Sequence, residues 1–202
     1  MPSRPSGKLV VLAATMGALA SAPPTQKWVG PVTLMPGGGT TQTTIYYGPW
    51  QCRQEWLTDC TARCGRQGHR SMGCIWLADM KTEVKTRFLL MPISWGGKLA
   101  ITHCCCDWPE TRPVNRDEWE KGRERYRKDW EKEFGEWPTI DGKRAWPGHH
   151  IRDLLHGGDQ MSKDNVFPAP PDVHKLYDQV YRECYGSAHR WSQAGPDYPY
   201  AD

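Results

Sequence analysis

The sequence predicts an α+β fold in three successive parts: a loop- and disulfide-rich N-terminal module, a charged amphipathic helix, and a histidine-bearing C-terminal module. Three observations predict it. Apolar stretches at 43–47, 74–77 and 99–102 read as strands, residues 115–134 and 172–184 carry helix signals, and seven of the eight cysteines fall within 51–110.

Residues 1–22 read as a signal peptide. Residues 1–8 are short and basic, 9–20 are an unbroken apolar run, and Ala20-Ser21-Ala22 offers small residues to a peptidase before Pro23-Pro24 stops any helix. No apolar run reaches the ~18 residues of a spanning helix, so no membrane span is expected. The chain is therefore expected to be secreted or periplasmic after cleavage. Over 202 residues, 26 Lys+Arg stand against 23 Asp+Glu, and losing the leader with its Arg4 and Lys8 lowers the net charge from +3 to +1. Such a balance excludes a polybasic protein whose partners are selected by bulk charge.

Residues 23–50 are rich in Pro, Gly and Thr and contain no acid, as in a flexible lead-in that ends in a short strand at 43–47. Residues 51–110 form the cysteine-rich module, with Cys52, Cys60, Cys64, Cys74 and the run Cys104-Cys105-Cys106. A helix over 55–63 puts Cys60 and Cys64 on one face. Cys60-x3-Cys64, with His69 and the triplet, could hold zinc, but it lacks the paired spacing of a zinc ribbon. In an exported chain an even cysteine count favours disulfides. Adjacent cysteines rarely pair with each other, so the triplet is expected to reach three different partners, which the sequence leaves open.

Residues 111–145 hold the amphipathic helix and its connector. Asn115 can cap the helix with Glu118 three residues on, and Gly135 followed by Trp137-Pro138 ends it. Trp119, Tyr126, Trp130 and Phe134 align on one stripe, while Glu124 with Lys128 and Asp117 with Lys121 support the wet side. Arg/Lys and Glu/Asp alternate, which predicts a solvated face rather than a nucleic-acid surface.

The chemistry is expected in residues 146–202. Four of the seven histidines, at 149, 150, 156 and 174, lie within 26 positions. Pro147-Gly148 and Gly157-Gly158 mark turns, and Pro170-Pro171-Asp172 starts a helix running to about Cys184. Adjacent residues on an extended segment point to opposite sides, so one of His149 and His150 can face a metal while its neighbour faces a water. His174, at a helix start, can close on the metal from across the loop. Neutral imidazole suits both ligation and general-base work at neutral pH. Asn165 can hold a ring nitrogen or a phosphate oxygen without titrating. His156 could be an extra ligand, a phosphate contact or a turn stabiliser. Asp153 could orient a histidine or lie on the surface, and Arg152 and Lys175 could meet phosphates or simply be exposed.

The pattern Gly148-His149-His150, Gly157-Gly158, Asn165-Val166, His174 resembles the HNH/endonuclease VII (ββα-metal) nuclease superfamily. More narrowly, it is similar to the GHH-signature nuclease domains of bacterial polymorphic toxins. The likeness covers about a quarter of the chain, roughly residues 146–191. It implies a ββα-metal-like module that uses one divalent ion, Mg, Mn, Zn or Ni, to hydrolyse nucleic acid, double-stranded DNA foremost. It also implies an antagonistic toxin with a cognate immunity protein. His149 and His174 would bind the metal, His150 would be the general base, and Asn165 would orient the base or the scissile phosphate. Many family members carry Asp where His149 stands, which shifts the expected metal towards softer ions. Many also carry CxxC pairs around the site. Here only Cys184 lies nearby, so packing, or a bond from Cys184 to one of the other seven, would hold the motif. The competing reading is a secreted disulfide-rich binding protein whose histidine cluster holds a structural metal.

Overall fold

Side chains alternate across a strand, and that alternation decides how this sheet is covered. The computed structural model describes residues 26–36, 38–88, 91–111, 114–186 and 189–200; the signal-peptide reading of 1–22 lies outside them. Strands β1 (Gln26–Val29), β2 (Thr33–Leu34), β3 (Thr40–Gln51), β4 (Ser71–Phe88) and β5 (Met91–Cys106) form an antiparallel sheet in the order β1-β3-β4-β5, with β2 beside β3. The segment expected as a flexible lead-in is thus strand for much of its length. Its β-branched threonines suit a pleated surface, and β3 pairs β4 from Thr40↔Lys85 to Gln51↔Ile75. The strands expected at 74–77 and 99–102 are apolar stretches of a much longer hairpin, towards its open end.

Helix α1 (Gln54–Arg66) lies on one face of that sheet, and the disulfides follow from matched spacings. Four residues along a helix rise ~6 Å and two along a strand ~6.7 Å, so an i, i+4 pair can meet an i, i+2 pair rung for rung. Cys60 bonds Cys104 and Cys64 bonds Cys106. Cys105 points the other way and bonds Cys184, while Cys52 bonds Cys74. The three cysteines of the run therefore do reach three partners. Since no described cysteine is free, the zinc reading of Cys60, Cys64, His69 and the triplet is overturned: a disulfide sulfur is not a thiolate ligand.

The same alternation sorts the core. Cys74 and Trp76 join Tyr46, Trp50 and Leu57 in the layer beneath α1. Ile75, Leu77 and Cys105 face the opposite layer. That second layer includes Trp119, Tyr126 and Trp130 of α2 (Val114–Phe134) and Tyr177, Val180 and Cys184 of the last helix, α3 (Pro171–Tyr185). Helix α2 begins at Val114, so Asn115 lies in its first turn rather than at its cap. Its aromatic stripe is the buried face, and the Tyr126 hydroxyl donates to the Val166 carbonyl at 2.6 Å. Between α2 and α3 come two small antiparallel pairs, β6 (Thr139–Ile140) with β7 (Arg144–Ala145) and β8 (Gly148–His150) with β9 (Val166–Pro168). The described chain is thus a mixture of helix and antiparallel sheet with several disulfides, an α+β arrangement.

Candidate metal centre and its cleft

Strand β8 carries both paired histidines, and β9 holds it in register through His149↔Phe167 and His150↔Val166. His149 turns to α3, where its ring lies 5.1 Å from His174 and 4.7 Å from Tyr177, centroid to centroid. The Tyr181 hydroxyl donates its one proton to the Ile151 carbonyl at 2.8 Å. It must therefore accept from His149 Nε2, 2.9 Å away, which leaves the lone pair on Nδ1. Burial holds this imidazole well below its ordinary pKa, and the neighbouring His174 and His150 lower it further. It is a neutral ligand at neutral pH.

A ring nitrogen of His149, one of His174 and a carboxylate oxygen of Asp178 all lie within 4.8 Å of one another. Two ligands at ~2.1 Å from an ion sit roughly 3–4 Å apart, so a small closure would let this set hold a divalent cation. Asp178 was not singled out from sequence. The signal was the His-x3-Asp spacing on α3, which stacks the two side chains one turn apart, with His174 Nδ1 3.5 Å from Asp178 Oδ2. A second group, His103 with Cys105 and Cys184, is equally close, but its two sulfurs are bonded to each other and offer no thiolate.

His150 turns the other way, against the Trp119 ring of α2, edge to face with centroids 4.9 Å apart. Its ring is hydrogen-bonded to the Gln160 carbonyl, while Nε2 is buried and has no partner. The proton therefore sits on Nδ1, and Nε2 carries a free lone pair. Burial brings this histidine down to about 4, helped by His174 and Arg116 and opposed by the Gln160 bond and Asp153.

The remaining expected residues are redistributed. Asn165 hydrogen-bonds to loop backbone and to neither imidazole. Its Oδ1 accepts from the Arg152 backbone N–H at 2.8 Å, and its Nδ2 donates to the Arg152 and Asp159 carbonyls at 3.0 and 2.7 Å. It clasps the loop whose next carbonyl, that of Gln160, holds His150. Its contact with the expected base is therefore indirect, through the loop backbone that its amide holds. Gly158 is required in the same clasp, since a Cβ there would stand 1.7 Å from the Arg152 carbonyl oxygen.

Asp153 accepts from the Tyr185 hydroxyl at 2.7 Å and from His156 Nδ1 at 2.9 Å. Burial raises its pKa, but these hydrogen bonds outweigh it and hold the carboxyl below its ordinary value. His156 is thus a turn stabiliser, with the left-handed Gly157 following at φ 76°. Arg152 donates to the His156 carbonyl and stacks on Trp108 at 4.2 Å, and it does not line the cleft that holds His149, His150 and His174. Lys175 is exposed on α3 and does not border the cleft.

That cleft has a volume of about 350 Å³. His149, His150, His174 and Asp178 form one wall, and Arg116, Trp119, Arg123 and Arg127 of α2 form the other. The charged residues of α2 are exposed or half-buried, as a solvated face requires, and of its cations Arg116, Arg123 and Arg127 border this cleft while Lys121 and Arg125 lie outside it. Periodicity placed the aromatic stripe correctly but could not say what the flanking arginines would face. No family model, curated protein or solved structure matches this chain.

Proposed function

We propose that this chain is an exported, metal-dependent endonuclease that hydrolyses phosphodiester bonds of nucleic acid, DNA foremost. His150 carries the reading: a neutral imidazole with its Nδ1 proton committed and its Nε2 lone pair free, in the wall of the same cleft as two histidine ligands and a carboxylate. Once a water is admitted to the buried Nε2, that nitrogen takes its proton, and the hydroxide so formed attacks phosphorus. The bond to the 3′ oxygen breaks, and the imidazolium returns the proton, leaving a 5′-phosphate and a 3′-hydroxyl. An anionic phosphate beside His150 raises its pKa from its low resting value towards the working range of a base. His149, His174 and Asp178 would hold the divalent ion, which when bound would offset charge on the phosphorane-like transition state and on the leaving oxygen. Tyr181 keeps the His149 lone pair on Nδ1, and Asn165 keeps the loop that aims His150.

The donor set bears on the alternative of a structural metal. Structural zinc is closed by four protein ligands, whereas a catalytic ion keeps an open position. Here three side chains converge and the Asp178 side chain is 57 % exposed, which favours an accessible site. Four disulfides fit a chain that matures in an oxidising compartment, and among the described residues no helix is long and apolar enough to cross a membrane. Action as a bacterial antagonistic toxin, with an immunity protein as partner, belongs to the same proposal.

The test is nicking of supercoiled plasmid by the chelator-stripped, disulfide-intact protein with Mg, Mn, Zn or Ni added singly. Nicked and linear products with at least one metal, abolished by chelator, are expected. Intact plasmid with all four would overturn the reading.

A further inference from the structure

We infer that the cleft-facing ridge of α2, Arg116, Arg123 and Arg127, is a docking track for the phosphate backbone of a DNA duplex. This inference rests on the nuclease reading and names how its substrate is held. The three arginines recur at steps of seven and four, so they share one helix face. Eleven residues of helix rise ~16 Å, the axial length of roughly five nucleotides of one strand. Trp119 on the same helix packs against His150, which fixes this face beside the proposed base.

The acids around the ridge are already engaged. Glu120 pairs with Arg123 at 2.6 Å and Glu124 with Arg127 at 2.7 Å. Asp153 is held by Tyr185 and His156, and Asp178 belongs to the ligand set. Arg127 is further drawn in by its contact with the Trp146 carbonyl at 3.4 Å, and its buried Nε has no partner. A guanidinium pinned by a carboxylate on one edge presents its other N–H groups in a fixed direction, and two phosphate oxygens match that geometry. The track supplies position rather than sequence recognition, because phosphates carry no base information.

The test uses the full chain with EDTA present, so that binding is read without cleavage. The probe is a fluorescein-labelled 20-base-pair DNA duplex followed by anisotropy between roughly 50 and 200 mM KCl, where counterion release makes affinity fall steeply with salt. Arg116→Ala/Arg123→Ala is expected to weaken binding 10- to 100-fold and to reduce the slope of log Kd against log salt by ~2, about one per lost phosphate contact. Lys121→Ala/Arg125→Ala removes the same charge from the same helix outside the cleft and is expected to leave the slope near the parent value. Equal losses in the two pairs, or no binding of the duplex by the parent, would overturn the track. Arg116→Gln alone, at an exposed position, keeps the test decisive if the double variant does not fold; its expected slope loss is ~1. Metal-dependent nicking with unchanged slopes would remove the track and leave the nuclease reading standing. Duplex binding that depends on the ridge, without nicking under any metal, would do the reverse.

Discussion

Tyr181 accepts the Nε2 proton of His149 at 2.9 Å while donating its own to the Ile151 carbonyl at 2.8 Å, so one phenol dictates which nitrogen of His149 can meet a cation. Tyr181→Phe keeps the ring stacked on His103, at 4.2 Å in the parent, and removes only that dictation. Metal affinity is expected to fall 10- to 100-fold with little change in fold, because an outer hydrogen-bond partner fixes tautomer and orientation. Chelator competition alongside circular dichroism checks it; unchanged affinity would reject the tautomer assignment.

The division of labour across the cleft is separable. His150→Ala should lower plasmid cleavage roughly 10²–10⁴-fold with metal affinity nearly intact. His174→Ala and Asp178→Asn should lose metal and activity together and recover part of the activity at high metal concentration. Calorimetric metal titration of all three variants, paired with nicking rates, decides. A His150→Ala protein that cuts as fast as the parent would refute the general base.

Asn165→Ala removes three hydrogen bonds to the loop and should lower stability by about 2–4 kcal/mol. Its activity should fall less than that of His150→Ala, since it misaims the base without deleting it. Gly158→Ala should reproduce the defect, because its Cβ would collide with the Arg152 carbonyl oxygen that Asn165 grips. Thermal melts and nicking rates measured together test this; a fully stable Asn165→Ala protein would contradict the clasp.

The disulfide Cys105–Cys184 closes 79 residues and Cys52–Cys74 closes 22. Removing the first by paired Ser substitution should destabilise by about 4 kcal/mol and removing the second by about 3 kcal/mol, from loop-closure entropy. Denaturant midpoints test the order. A non-reduced peptide map lacking the Cys105–Cys184 cross-link would refute the pairing itself.

Acid should weaken the metal-free fold through its buried histidines. Burial lowers His103 from 6.5 to about 4 in the folded chain, outweighing its bond to Ile151. The unfolded chain therefore binds the proton first. The contribution is fully present above ~6.5 and is lost as pH falls through that value towards about 4, at up to ~1.4 kcal/mol per pH unit. Urea unfolding from pH 7 to 4.5 should show this slope and His103→Gln a shallower one; identical slopes would exclude His103 as a contributor.

Much of this was decided locally and was legible for that reason. The aromatic stripe of α2 follows from a 3.6-residue period, the start of α3 from Pro170-Pro171, with Asp172 in the first turn rather than at the cap, and the splitting of the cysteine run from the reluctance of neighbours to pair. His149, His150 and His174 could be named because the glycines and prolines around them frame turns at fixed offsets. What the chain alone left open depends on which faces meet. The partners of Cys104, Cys105 and Cys106 were settled when strand alternation met a helix on each side of the sheet. Asp178 and Tyr181 join the candidate metal centre only because α3 packs against β8, and Arg116, Arg123 and Arg127 border its cleft only because α2 packs beside His150. Local sequence fixes periodicity and turns through short-range sterics, whereas the neighbour of an exposed polar face is chosen by burying apolar surface far away in the chain.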